Sequence, residues 1–175
     1  MVRYEDLRFD CALYNGYKPC PHGNECAGCR FYEPLPPPDG MAAPGWEALP
    51  PDGSPSLPPP DAARPTRLLI IKVGAMGDVL RTTTLLPALK RAYPSSRITW
   101  ITDPPARPLL SANPLIDELL PFDEAHCDAL AEREFDLLLN YEKEPAPLAL
   151  AGRIRARGRV GFAPTRWGRP AVFNR

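Results

Sequence analysis

The chain has no net charge, no long apolar run and no apolar core near its start. Lys+Arg and Asp+Glu each total 21. That balance argues against a protein that coats nucleic acid, although it leaves room for local patches. Nowhere do apolar residues approach the roughly 20 in succession that span a bilayer. The opening Met-Val-Arg-Tyr-Glu-Asp lacks the core of a signal peptide, so the expected location is the cytoplasm.

The stretch with the most chemical promise, Val73-Gly-Ala-Met-Gly-Asp78, also lacks specific things. It has neither the longer glycine loop nor the Lys-Ser/Thr ending of a phosphate-binding P-loop. Only Gly74 and Gly77 are present, so the third glycine of a dinucleotide fingerprint is missing. Asp103 does follow where a ribose could bind. Asp78, however, sits at a helix start, in the place an anion would take, and repels a pyrophosphate. A phosphate cradle is therefore disfavoured.

Proline is in excess. Of 25 prolines, twelve fall from Pro34 to Pro65, against an ordinary share of about 5%. Residues 34–65 read as a proline-rich, extended spacer with Trp46 as its only aromatic. They separate a short head, residues 1–33, from an α/β part, residues 66–175.

The head holds Cys11-x8-Cys20-x-His22-x3-Cys26-x2-Cys29, four of the five cysteines, among aromatics that include Phe9, Tyr14, Tyr17, Phe31 and Tyr32. A segment below about 40 residues needs a staple to fold. In a reducing compartment such clustering points to metal more than to disulfides. The expected ligands are Cys11, Cys20, Cys26 and Cys29 around a structural zinc, with His22 the substitute if one thiol lies out of reach. An iron–sulfur cluster uses the same four thiolates. A disulfide pair or free thiols are the plain alternatives.

From Arg67 the pattern alternates. Leu68-Leu-Ile-Ile71 reads as a central parallel strand. Val79, Thr82, Leu86, Leu89 and Tyr93 mark one helix face, which Pro87 should kink. Further strands are expected at Arg97–Thr102, Ile116–Leu120, Phe135–Asn140 and Arg159–Phe162, and helices at Pro104–Ala112, Asp123–Glu134 and Pro145–Ala156. This predicts a Rossmann-like, doubly wound, mostly parallel sheet. Ligands then gather at the strands' carboxyl ends, near Gly74–Asp78, Thr102–Asp103 and Asn140–Lys143.

Two readings remain for Asp78. It is either a helix N-cap, worth about 1 kcal/mol over alanine, or a general base taking a proton from an acceptor hydroxyl. In the second reading the loop Gly74, Ala75, Met76 and Gly77 lets the backbone approach a substrate closely.

Leu68-Leu-Ile-Ile-Lys-Val-Gly-Ala-Met-Gly-Asp-Val-Leu-Arg-Thr-Thr83, followed by Leu85-Leu-Pro-Ala-Leu-Lys-Arg-Ala-Tyr-Pro94 and Ile98-Thr-Trp-Ile-Thr102, resembles the start of glycosyltransferase family 9. These are the bacterial lipopolysaccharide heptosyltransferases and their relatives. The similarity continues through Asn113-Pro-Leu-Ile-Asp117, Phe135–Asn140 and Val160-Gly-Phe162. The Cys-rich head also looks like one that precedes some members.

The resemblance implies the N-terminal, acceptor-side half of a GT-B fold. It further implies inverting, metal-independent transfer of a sugar from a nucleotide donor, typically ADP-heptose, to a lipid A–core or other cell-envelope glycan. The family's base matches Asp78. Lys72 matches a position near the cleft, and Asp103, Asn140, Glu142 and Lys143 join the expected substrate-binding set. The sequence ends at Phe173-Asn-Arg175, before a donor-binding half, so a fragment inactive by itself is expected.

The basic run Arg153, Arg155, Arg157 and Arg159 suits either a solvated helix end or peripheral contact with anionic lipid on the inner face of the cytoplasmic membrane. His126 and Cys127 read as core or surface residues. The competing function is a non-catalytic binding or assembly protein, a metal-stapled module tethered to a Rossmann-like domain.

Overall fold

The computed structural model describes residues 8, 11–14, 20–23, 26–34, 58–59, 63–164 and 170–172. Most of the proline-rich segment with Trp46, the aromatics Phe9 and Tyr17, and Phe173-Asn-Arg175 lie outside the described residues.

Aliphatic and β-branched runs build the sheet. β1 (Arg67–Ile71), β2 (Arg97–Thr102), β3 (Glu118–Pro121), β4 (Glu134–Asn140) and β5 (Arg155–Pro164) pair in parallel, in the order β3-β2-β1-β4-β5. A short β6 (Pro170–Val172) adds antiparallel to β5 at the edge. Four α-helices accompany them: α1 (Met76–Thr82), α2 (Leu86–Ala92), α3 (Glu124–Ala131) and α4 (Pro145–Arg153).

The side-chain period of two sorts each strand between two cores. Leu68, Ile70, Ile98, Trp100, Leu137 and Leu139 pack with Val79 of α1, Leu86 of α2 and Tyr93. Leu69, Ile71, Ile101 and Leu138 pack on the other face with Leu130 of α3 and Leu150 and Ala151 of α4. Helices therefore cover both faces, which is why β1 can be aliphatic throughout rather than alternating. Each fully buried Leu or Ile contributes about 1.5–3 kcal/mol of transfer free energy.

Several elements differ from the sequence expectation, among them an unexpected β6 and shifted bounds for β3 and α3. The helix after β1 is not kinked at Pro87. It breaks one turn earlier, at a 3-10 turn over Thr83–Leu85, and Pro87 falls in the first turn of α2, where a missing N–H costs nothing. Threonine chemistry accounts for the break: Thr82, Thr83 and Thr84 hydroxyls donate to the carbonyls of Asp78, Leu80 and Arg81. Residues 104–109 form a 3-10 helix. β5 starts at Arg155, four residues before the expected strand, so the basic run is split between helix end and strand.

That split separates the four arginines. Arg153 pairs with exposed Asp128, and Arg155 and Arg157 are exposed on β5. Arg159 turns inward, its two terminal nitrogens donating to the Ala151 and Ile154 carbonyls at the end of α4. Burial lowers its pKa to about 10.

The strand order reverses between β1 and β4. In open α/β sheets such a reversal, on the carboxyl side of the strands, is the usual ligand position. Gly161 lets β5 press against β4 at that level: its φ is 97°, and a Cβ would lie 2.0 Å from the Asn140 carbonyl oxygen.

The head meets the α/β part at the β6 edge, where the Tyr14 hydroxyl donates to the Pro170 carbonyl at 3.1 Å. The Tyr93 hydroxyl likewise donates to Pro58 of the proline-rich segment at 3.1 Å. Among the described residues no helix is long and apolar enough to cross a membrane.

Candidate active site

The loop from β1 into α1 is pinned from both neighbouring strands. On the β4 side, one oxygen of Glu142, Oε1, accepts from Lys72 Nζ at 2.5 Å, Val73 N at 2.8 Å and Gly74 N at 3.1 Å. Both charged side chains are buried, with relative exposures of 8% for Lys72 and 10% for Glu142. On the β2 side, Trp100 Nε1 donates to the Lys72 carbonyl, and the Thr102 hydroxyl and Asp103 N–H both donate to the Val73 carbonyl. A buried ion pair is tolerated only when its lone pairs and protons are met, and the two backbone donors help meet that condition for Glu142. Residues 72–74 are thus a fixed platform at the strand-order reversal.

Asn140 supports the platform from below. It is buried, its side-chain amide donates to the carbonyls of Phe162 at 2.7 Å and Glu142 at 3.1 Å, and its Oδ1 accepts from Glu142 N. Lys143 lies over the Phe162 ring, 4.6 Å from its centroid. Lys72, Asn140 and Glu142, expected to touch substrate, are thus engaged with one another's surroundings in the protein. Gly74, Ala75, Met76, Gly77, Asp78, Asp103 and Lys143 are the ones that reach the surface.

Beyond the platform the backbone turns through Ala75, at φ 53° and ψ 86°, a left-handed conformation that costs a non-glycine residue about 1–2 kcal/mol. The strained residue of the loop is thus an alanine that lies between the two glycines. Gly74 and Gly77 have no such φ. A Cβ on Gly77 would meet nothing within 4 Å, and one on Gly74 would lie in ordinary contact with Asp103 Oδ2 at 3.7 Å. Neither glycine is required by the backbone or by packing among the described residues, and the space beside Gly77 is open.

Asp78 is not the N-cap of α1. Ala75 is, without a side-chain cap, and its carbonyl accepts from Asp78 N at 2.7 Å and Val79 N at 3.0 Å. Asp78 is the third residue of the helix, its side chain 47% exposed and ion-paired through Oδ1 with Arg81. Arg81 was not among the expected site residues, although its three-residue spacing from Asp78 on a helix was a readable signal. Among the described residues the Asp103 carboxylate, beside Gly74, has no hydrogen-bond or ion-pair partner. Met76 and Leu80 are 58% and 53% exposed on the same helix. Together these features make a half-open surface with one paired and one free carboxylate beside exposed apolar groups.

The pair His126 and Cys127 lies elsewhere, on α3. His126 Nδ1 meets the Oδ1 of the helix N-cap Asp123 at 2.7 Å. Burial, helped by Asp123, pushes the Cys127 thiol pKa up, as suits an unreactive thiol.

No family model matches the chain. Over 110 residues it is 29% identical to the lipopolysaccharide core heptosyltransferase OpsX of Haemophilus influenzae, covering 58% of this chain and 31% of that protein. The crystal structure of a glycosyltransferase family 9 protein from Veillonella parvula superposes with a TM-score of 0.51 at 25% identity, over 59% of this chain and 34% of that one. Over that stretch the α/β part is similar to a glycosyltransferase family 9 protein. E. coli heptosyltransferase WaaC, in its structure with ADP, gives a TM-score of 0.47 at 22% identity, over 52% of this chain and 33% of that one. The chain spans about a third of the length of the relatives it matches.

Proposed function

We propose that this chain supplies the acceptor side of a heptosyltransferase-type glycosyltransferase, in which Asp78 is the general base. The observation that carries the reading is the placement of Asp78. Its half-exposed carboxylate stands one helical turn beyond a rigid platform, at the strand-order reversal, with open space beside Gly77. The likeness to OpsX and to the Veillonella protein supports the choice of reaction.

In this reading Asp78 takes the proton of an acceptor hydroxyl as that oxygen attacks the anomeric carbon of the donor sugar. The bond from that carbon to the nucleotide diphosphate breaks, the diphosphate leaves with the electron pair, and the configuration inverts. Arg81 holds the carboxylate until the acceptor displaces it. Gly74, Ala75, Met76, Gly77 and Asp103 border the acceptor, whereas Lys72, Asn140 and Glu142 position the loop. No metal takes part in the transfer. The donor, an ADP-heptose-like nucleotide sugar, is held by a second α/β half facing this one, and the acceptor is a lipid A–core or other envelope glycan. The reaction runs in the cytoplasm, against the inner face of the membrane that carries the acceptor.

The test is a transfer assay with nucleotide-heptose and a lipid A–core acceptor, using residues 1–175 alone and together with a donor-binding half. Transfer that needs both halves and inverts the anomeric centre is the expected result. Robust transfer by residues 1–175 alone, or none in the combined protein, contradicts the reading.

A further inference from the structure

The Cys-rich head is not used by the chemistry above, yet its four cysteines do not scatter. All four, Cys11, Cys20, Cys26 and Cys29, line one cavity of about 20 Å³, together with Arg8, His22 and several aromatic residues. None of them is in a disulfide. We propose that this cavity is a mononuclear metal site, in which the four thiolates hold one zinc ion.

Local backbone geometry brings the donors together. Cys20 opens a turn closed by Gly23 N–H donating to the Cys20 carbonyl at 2.9 Å, with Gly23 at φ 74°. Cys26 opens a second turn, closed by Cys29 N–H on the Cys26 carbonyl at 3.2 Å, with Gly28 at φ 69°. Each turn needs a left-handed residue that only glycine adopts without cost. Cys11 arrives from the other end of the segment. It forms an antiparallel bridge with Pro34, and Ala12 N–H donates to the Glu33 carbonyl at 2.8 Å. The head therefore closes its own ends around the cysteines.

Size and charge decide the occupant. Room for about one water-sized particle suits a single ion. Tetrahedral thiolate ligation is the ordinary environment of structural zinc, with sulfur at about 2.3 Å. As they stand, no three His, Cys, Asp or Glu side chains among the described residues are placed to hold a metal ion, so the proposal requires the cysteines to draw together on binding. Ion binding accordingly contracts the cavity, expels the thiol protons and completes the fold of the head. Four thiolates and a divalent ion leave a net charge of about −2, and Arg8 lines the same cavity. The His22 ring, which lines the same cavity, is stacked on Phe31, with centroids 3.7 Å apart and planes 9° from parallel.

The head's buried apolar residues among those described are Cys11 and Tyr14, and Tyr14 is the residue that touches Pro170. The ion thus braces the segment that docks on the β6 edge.

The test is metal analysis of the full chain, residues 1–175, purified under reducing, oxygen-free conditions from medium containing both zinc and iron. One zinc per chain is expected. Cobalt loading should give the strong thiolate-to-cobalt absorption of a tetrahedral four-sulfur site, a readout on the unmutated chain. Joint substitution Cys26→Ser and Cys29→Ser should abolish zinc retention, and Cys127→Ser should leave it unchanged. A brown iron–sulfur chromophore, no zinc uptake by the reduced chain, or zinc retained by the double variant would overturn the proposal. None of these readouts depends on glycosyl transfer.

Discussion

Glu142 gathers a lysine ammonium and two backbone N–H groups on one buried oxygen, and the position of the whole loop follows from it. Replacing Glu142 by Gln removes the negative charge and strands the Lys72 ammonium away from water. We expect a loss of about 3–5 kcal/mol in urea unfolding; a loss below 1 kcal/mol, roughly the worth of an exposed pair, would contradict the platform. A second carboxylate governs acid stability. The Arg64 guanidinium, bonded to both oxygens of Asp136, holds that carboxyl below its ordinary pKa against the opposing effect of burial, and the Arg67 N–H and Arg157 add to it. Arg133 does the same for Glu118. Both folded pKa values are depressed, so the stabilisation is complete above the unfolded values of about 4 and is lost as pH falls through the folded ones. Unfolding free energy should therefore be flat from neutral pH to about pH 5 and fall below about pH 4. In Asp136→Asn that acid-side fall should be shallower, and an unchanged fall would contradict the assignment.

At the scale of elements, the strong aliphatic runs were legible because burial on both faces leaves no polar alternation to confuse them. β1, β2 and β4 lie where Leu68–Ile71, Arg97–Thr102 and Phe135–Asn140 place them. Three features were not legible, each because tertiary contacts override local preference. The early start of β5 depends on Arg159 capping α4, and β6 exists only by pairing with β5. The strained Ala75 has none of the glycine signature that marks a positive φ. The candidate site was legible as a place, the carboxyl ends of β1, β2 and β4, but not as a division of labour. Spacing cannot tell that Lys72 and Glu142 face each other across a strand boundary while Asp78 faces outward. The glycine left over from that geometry gives a prediction for α1. Gly77 occupies a helical position with open space around it, so Gly77→Ala should stabilise the fold by up to about 1 kcal/mol. The same methyl intrudes where the acceptor is proposed to lie, so the acceptor KM should rise. A stabilised variant with unchanged acceptor KM would remove Gly77 from the site.

At the scale of the molecule, an α/β part similar to a glycosyltransferase family 9 protein carries a head docked at its sheet edge, and in the proposed function a facing half completes the reaction. The proposed function turns on Asp78 removing the acceptor proton. The direct measurement is the transfer rate of Asp78→Asn, with the donor-binding half present and acceptor saturating. The amide keeps the size of the side chain and cannot take a proton, so kcat should fall by about 100-fold to 10,000-fold, with acceptor KM little changed. A variant that transfers sugar within about threefold of the parent rate, a barrier change of only about 0.7 kcal/mol, would show that Asp78 is not the base.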